Sequence, residues 1–222
     1  LELESVPQGA LALADISVYG SPSEPGVQVL TSAYGDMKSS DPSRGEISGI
    51  GELIFAVGAP VEADLSEGVA DFGGERVHLS GKFDRVVGGW GSDVLVGRAT
   101  GADDLSGGAG DDRLLAGRGD DVLRGGDGDD LLRGGSGGDE IIGGGGRDTA
   151  SYANSPDAVD AWLSKGYGAS GHAEGDAFSG VENLIGSGRG DFLVGDGQGN
   201  SLVGGAGFDR LRGGRGDDVL EG

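Results

Sequence analysis

A nine-residue period dominates the second half of the chain. From position 88 to 151 the sequence repeats the pattern G-G-x-G-x-D-x-U-x, where U is a large apolar residue, and a second run extends from 186 to 221. One irregular stretch, GRATGADDLS at 97–106, carries an additional residue near Gly97. A fixed short period is typical of a solenoid, in which each repeat buries its apolar side against its neighbours. The period is decisive because glycine makes up 51 of the 222 residues, and such a share without periodicity would indicate disorder.

Each repeat predicts a glycine-rich turn followed by a short strand. Glycine at the first, second and fourth positions permits backbone conformations that other residues rarely adopt. In the strand, the eighth residue points to one face and its neighbours point to the other. Position 7, occupied for example by Asp104, Arg113, Glu140 and Arg210, is therefore expected to face outward. The predicted core consists of the position-8 residues Leu95, Leu105, Leu114, Leu123, Leu132, Ile141, Leu193, Leu202, Leu211 and Leu220.

The sixth position supplies a carboxylate at the end of each turn. Tight turns also direct main-chain carbonyl groups inward, and this set of oxygen ligands suits Ca²⁺, which takes six to eight of them. The candidate side-chain ligands are Asp93, Asp103, Asp112, Asp121, Asp130, Asp139, Asp148, Asp191, Asn200, Asp209 and Asp218. The candidate carbonyl ligands are the turn residues Gly107, Gly108, Gly110, Gly125, Gly126, Gly128, Gly134, Gly135, Gly137, Gly204, Gly205 and Gly207.

These consecutive, in-register repeats resemble the RTX (repeats-in-toxin), or hemolysin-type, calcium-binding family. The resemblance implies an all-β fold: a right-handed, β-helix-like parallel β-roll in two stacked calcium-binding blocks, with β capping segments. In such a roll two nonapeptides form one coil, and each Ca²⁺ lies between two turns on the same edge. We expect weaker binding by the first pair, whose spacing is 19 residues instead of 18, and by Asn200, which replaces an aspartate. The implied pairs are Asp93–Asp112, Asp103–Asp121, Asp112–Asp130, Asp121–Asp139, Asp130–Asp148, Asp191–Asp209 and Asn200–Asp218.

The repeats divide the chain into five predicted segments. Block 1 (88–151) and block 2 (186–222) are the β-roll blocks, and 152–185 is an intervening capping segment. Residues 55–87 form a similar capping segment, because Val61, Gly68 and Asp93 recur 98 positions later as Val159, Gly166 and Asp191. Residues 1–54 are predicted to be an N-terminal β segment, a cap or the tail of an upstream domain.

Composition and motifs exclude several functions. A net charge of −22 argues against a nucleic-acid partner, since phosphate binding requires Lys and Arg. No apolar run approaches the roughly 18 residues of a membrane span. The absence of cysteine excludes disulfides, cysteine-ligated zinc and thiol nucleophiles. Only His78 and His172 are present, and no catalytic arrangement surrounds either of them, so no enzyme activity is expected within this chain.

The sequence therefore predicts a calcium-binding module whose folding is coupled to metal binding. The RTX resemblance implies an extracellular protein exported by a type I secretion system, with Ca²⁺, the secretion machinery and an attached domain as partners. The module would support secretion, stability or spacing of that domain. Two alternatives are an accessory C-terminal module of a secreted lipase, protease or epimerase and a segment of a surface adhesin. Trp90 is expected to pack against the N-terminal segment, and Trp162 is expected to be buried in the capping strand.

Overall fold

The described residues form an all-β structure in which the two repeat blocks are solenoids of parallel strands. The segments that precede each block also contain antiparallel strand pairs. The computed structural model describes residues 16–19, 28–32, 46–56, 58–72 and 75–222. Much of the predicted segment 1–54 therefore lies outside the described residues. Within them, the N-terminal part contains β1 (Ile16–Tyr19), β2 (Gln28–Ser32), β3 (Glu46–Ala56), β4 (Val61–Asp64), β5 (Val69–Phe72) and β6 (Glu75–Val87). No helix in these ranges has the length and apolar character needed to cross a membrane.

Block 1 is a parallel roll with two strands per coil. Its strands are β7 (Val94–Val96), β8 (Asp104–Ala109), β9 (Arg113–Arg118), β10 (Val122–Asp127), β11 (Leu131–Ser136), β12 (Glu140–Gly145) and β13 (Thr149–Ser151). Alternate strands pair, so β8, β10 and β12 form one stack, and β7, β9, β11 and β13 form the other. Leu105, Leu123 and Ile141 lie in register along the first stack, as the period of two nonapeptides requires.

The position-8 residues form the core, as predicted, in one row along each stack, with two exceptions. From Leu95 to Leu202 these residues are at most 1% exposed. Leu211 is only partly buried, and Leu220 is 48% exposed. The prediction is wrong for Leu220, and Leu211 packs against the core without being fully buried, because no further strand among the described residues stacks on the last two strands.

The intervening segment joins the two blocks within one continuous sheet system. It contains β14 (Asp160–Trp162), β15 (Tyr167–Ala169), β16 (Ala177–Ser179) and β17 (Asn183–Ile185), with 3₁₀ turns at Leu163–Lys165 and Gly171–Ala173. β16 stacks on β12, and β17 stacks on β13. Block 2 then continues both stacks with β18 (Phe192–Val194), β19 (Ser201–Val203), β20 (Arg210–Arg212) and β21 (Val219–Glu221).

The 98-residue sequence repeat is also a repeat of contacts. β4 pairs in parallel with β7, and β14 pairs in the same way with β18. Asp93 Oδ1 accepts a hydrogen bond of 2.8 Å from the Val61 amide, and Asp191 Oδ1 accepts one of the same length from Val159. The first strand of each block therefore pairs with a strand of an antiparallel hairpin, β4–β5 for block 1 and β14–β15 for block 2.

The two tryptophans differ in their surroundings. Trp90 is 68% exposed, so the prediction that it packs against the N-terminal segment is wrong. It occupies the third position of a turn, where the side chain points to solvent. Trp162 is partly buried and contacts the rings of Tyr167 and Phe192, with centroid distances of 5.2 and 5.8 Å.

Candidate metal centre

The position-6 side chains form two columns, one along each edge of the roll. In each predicted pair, Oδ1 of the later residue accepts the backbone N–H of the earlier one, at 2.7 to 3.0 Å. All seven pairs are brought together in this way. Asp93 and Asp112 are also joined, at 2.7 Å, because the additional residue is accommodated in the turn around Arg98.

Oxygen atoms from two successive turns face the same small space. A methyl group at Gly107 would overlap both Asp112 Oδ2 of its own turn and the Gly125 carbonyl oxygen of the next turn on that edge. Gly125 has the same relation to Asp130 Oδ2 and the Gly143 carbonyl oxygen. Carboxylate and carbonyl oxygens are the ligands that Ca²⁺ prefers. The position-1 glycines therefore leave open a space that suits this ion.

The other turn glycines are required by close stacking. Gly108 and Gly110 have φ of 116° and 111°, and a methyl group on either would overlap a backbone carbonyl of the preceding turn. Among the candidate ligands, seven have a carbonyl oxygen directed at a neighbouring turn: Gly107, Gly108, Gly110, Gly125, Gly126, Gly128 and Gly204. For the other five, a methyl group would overlap an oxygen of their own or the preceding turn, as it would at the first seven: Gly134, Gly135, Gly137, Gly205 and Gly207.

Five carboxylates in the middle of block 1 have an oxygen with no partner. Oδ2 is buried and receives no hydrogen bond in Asp112, Asp121, Asp130, Asp139 and Asp148. These side chains are almost completely buried, at 0 to 2% exposure. A buried charge without a partner is costly, so each of these oxygens requires a proton or a cation.

Burial and mutual repulsion both disfavour the ionised carboxylates. Burial, together with neighbouring carboxylates, raises the pKa of Asp112 and Asp139 to about 7 and that of Asp130 to about 6. Burial also raises the pKa of Asp121 and Asp148. A bound divalent cation would reverse this effect, because it stabilises the deprotonated form.

A comparison with protein families agrees with this geometry. The model for the RTX calcium-binding nonapeptide repeat (4 copies) matches residues 69–100, 87–123, 99–132, 115–150 and 194–222, which together cover half of the chain. The chain belongs to the RTX calcium-binding repeat family. RTX nonapeptide repeats bind Ca²⁺ and form structural modules that are typically found in secreted proteins. No curated protein matches the chain.

The RTX turns of this chain would hold the ion mainly through the main chain. Within the described ranges, no three His, Asp or Glu side chains converge on one point. An ion between two turns would therefore take one or two carboxylates and complete its coordination with carbonyl oxygens. This arrangement follows from the repeat, which places one ligating side chain in each turn.

The RTX columns continue through the intervening segment by means of two residues that the repeat pattern does not reveal. Asp139 donates its backbone N–H to Asp176 Oδ1, and Asp148 donates its backbone N–H to Glu182 Oε2, both at 2.9 Å. Asp176 Oδ2 in turn accepts a hydrogen bond of 2.7 Å from the buried Tyr152 hydroxyl. Neither carboxylate follows a G-G-x-G turn. The available sequence signal is that each directly precedes a short strand, as the position-6 residues do.

The first turn on each edge of each RTX block differs from the later turns. The backbone N–H at position 2 donates to the position-6 side chain of the same turn, at 2.6 to 2.8 Å. In the middle turns, the corresponding carboxylate oxygen has no partner. The position-6 residues that are hydrogen-bonded within their own turn are Asp93, Asp103, Asp191 and Asn200.

Proposed function

We propose that this chain is a calcium-dependent folding module of a secreted protein. It remains largely unfolded where calcium is scarce, folds on binding Ca²⁺ outside the cell, and there stabilises or spaces a domain attached to it. The observation that supports this proposal best is the set of five buried carboxylate oxygens without partners in block 1. Burying these five carboxylates in the ionised form costs free energy that a bound cation would offset.

The composition of the core supports the same proposal. A nine-residue repeat contributes at most one large buried side chain to the core, whereas its glycines lose more conformational freedom on folding than any other residue. Metal binding then provides free energy that the core does not, and folding becomes linked to the metal. The calcium concentration outside the cell would act as the folding signal.

Export by a type I secretion system is part of the proposal and rests on the family. A chain that stays unfolded in the cytosol is suited to passage through a narrow export channel. The attached domain could belong to a secreted enzyme, such as a lipase, protease or epimerase. In that case the thermal stability of the whole parent protein should depend on Ca²⁺.

The decisive experiment is a Ca²⁺ titration of EDTA-treated protein followed by far-UV circular dichroism, with Mg²⁺ as the control ion. We expect a transition from coil to β structure that is specific to Ca²⁺ and centred at about 0.1–1 mM, the range of extracellular calcium modules. Mg²⁺ should be much less effective, because it demands smaller, octahedral coordination and loses water reluctantly. A β-rich spectrum that does not change between EDTA and saturating Ca²⁺ would contradict the proposal.

A specific observation also favours the second candidate, an adhesin-like segment that binds acidic sugars. An open groove of about 650 Å³ lies where the intervening segment meets block 2, lined by Trp162 and Phe192 and by Lys165, Arg212 and Arg215. None of the three cations has a carboxylate within salt-bridge distance in the described part of the chain, although Asp196 also lines the groove. Cations without a carboxylate partner, beside aromatic rings, suit an anionic sugar.

Binding to an array of acidic glycans in the presence of Ca²⁺ tests this second candidate. Arg212→Ser should reduce binding, whereas Arg210→Ser, on the same strand but outside the groove, should not. Equal binding by both variants, or no binding by the wild-type protein, would rule out the groove as the site.

A further inference from the structure

The turn at 97–103 departs from the repeat at one chemically important position. The five middle turns of block 1 have glycine at position 2, with positive φ at Gly108, Gly117, Gly126, Gly135 and Gly144. Arg98 occupies this position in the irregular turn and does not adopt positive φ. Its backbone is therefore placed differently from that of the five middle turns, and it carries a side chain where they have none.

The Arg98 side chain folds back onto the carboxylate of its own turn. Its Nε lies 2.7 Å from Asp103 Oδ1, and its backbone N–H donates to Asp103 Oδ2 at 2.8 Å. The guanidinium Nη2 also donates to the carbonyl oxygen of Ala102. The Asp103 side chain is 1% exposed, and this is the only ion pair in the described ranges whose carboxylate is buried.

These contacts satisfy the turn in the way that a metal ion would. The guanidinium binds one carboxylate oxygen and one main-chain carbonyl oxygen, the two classes of ligand that Ca²⁺ takes. The guanidinium is the partner of Asp103 Oδ1, and Oδ2 accepts the backbone N–H at position 2, as in the other first turns. Asp103 thus has no oxygen without a partner, unlike Asp112 or Asp121. A charge-assisted pair of this kind also neutralises the buried carboxylate.

We infer that Arg98 is the resident cation of this turn and that the turn folds without Ca²⁺. This inference rests on the proposed function, because it treats the later turns as the calcium-binding ones. Asp103 donates its backbone N–H to Asp121 Oδ1 at 2.7 Å. A folded turn 97–103 would therefore hold this donor in place for the next turn on the same edge. The first calcium-requiring carboxylate on this edge is then that of Asp121.

The test is to remove the guanidinium and count the bound ions. We expect Arg98→Ala to bind one more Ca²⁺ per chain than the wild-type protein at saturation, measured by equilibrium dialysis and native mass spectrometry. In the absence of Ca²⁺, amide hydrogen exchange should become faster in residues 97–103 of this variant. Arg118→Ala is the matched control, because Arg118 is exposed and lies in the next turn on the same edge. Arg98→Lys keeps the positive charge, and both of these variants should retain the wild-type ion count.

An unchanged ion count and unchanged exchange in Arg98→Ala would overturn the inference. If Arg98→Ala fails to fold at any Ca²⁺ concentration, the double variant Arg98→Ala with Asp103→Asn decides the matter, since it removes both charges. Folding of the double variant with the wild-type ion count would support the inference, and its failure to fold would overturn it. A wild-type protein that binds no Ca²⁺ would contradict the proposed function instead, so the two failures can be distinguished.

Discussion

Blocks 1 and 2 contain nearly the same turns in different surroundings. The turn 107–112 reads GGAGDD and the turn 204–209 reads GGAGFD, yet Asp112 is 1% exposed, whereas Asp209 is only partly buried. In block 1 the strands β8 to β12 each span six residues and have turns stacked on both sides. In block 2 all four strands span three residues. A position-6 carboxylate thus lacks a partner where the chain covers it on both sides, with a further turn or with the intervening segment.

The largest difference between the blocks should appear in the core. Leu123 is completely buried between Leu105 and Ile141, whereas Leu220 is 48% exposed. We expect Leu123→Ala to reduce the free energy of unfolding by about 2–5 kcal/mol and Leu220→Ala by less than about 1 kcal/mol. Urea denaturation at saturating Ca²⁺ measures both. Equal losses would mean that the two blocks are packed alike.

The second largest loss of stability should come from a substitution that disturbs the close stacking of the turns. Gly126 has φ of 126°, and a methyl group there would overlap the Gly108 carbonyl oxygen. Gly126→Ala should therefore cost about 1–3 kcal/mol in the free energy of unfolding. Gly145→Ala is the control, because Asp127 Oδ1, at 3.4 Å, is the nearest atom to a methyl group at Gly145. A stable Gly126→Ala protein would show that the turns are not in close contact.

Removing one carboxylate should affect calcium binding more in block 1 than in block 2. Asp130 is buried with an unpaired oxygen, whereas Asp218 is partly buried on the last turn. Asp130→Asn should bind one Ca²⁺ fewer and should raise the Ca²⁺ midpoint of folding several-fold. Asp218→Asn should change the midpoint less. Isothermal titration calorimetry gives the count, and a larger effect of Asp218→Asn would contradict the comparison.

The smallest expected effect is a pH dependence of the metal-free protein. Since the folded-state pKa values of Asp112 and Asp139 are raised to about 7, above the ordinary 3.8, the folded state binds more protons than the unfolded state. The stability of metal-free block 1 should therefore be greatest below about pH 4 and should fall as the pH rises towards 7. In EDTA, the β content measured by circular dichroism should be higher at pH 5 than at pH 7.5. Saturating Ca²⁺ should abolish this difference, and an opposite trend in EDTA would show that these carboxylates are not buried.

Much of the fold follows directly from the nine-residue period. In the β-roll that the RTX resemblance implies, two turns form one coil, so equivalent positions 18 residues apart are in contact, or 19 apart across the irregular turn. This relation predicted the seven position-6 pairs that the structure brings together. The core side chains up to Leu202 follow from the alternation of side chains along a strand. These features are local, because backbone conformation and side-chain direction repeat with the sequence.

Only the tertiary structure decided which carboxylates lack a partner. Asp112 and Asp209 occupy equivalent positions of the repeat, and so do Arg98 and Gly108. The contacts of each residue nevertheless depend on which turns are stacked on its own turn. Asp176 and Glu182 extend the columns from outside the repeats, which no periodic pattern could indicate. The sequence by itself determined the repeating coil and which side chains lie along its edges. Burial, and with it the need for a cation, depends on the neighbouring coils, because they are what removes water from a carboxylate.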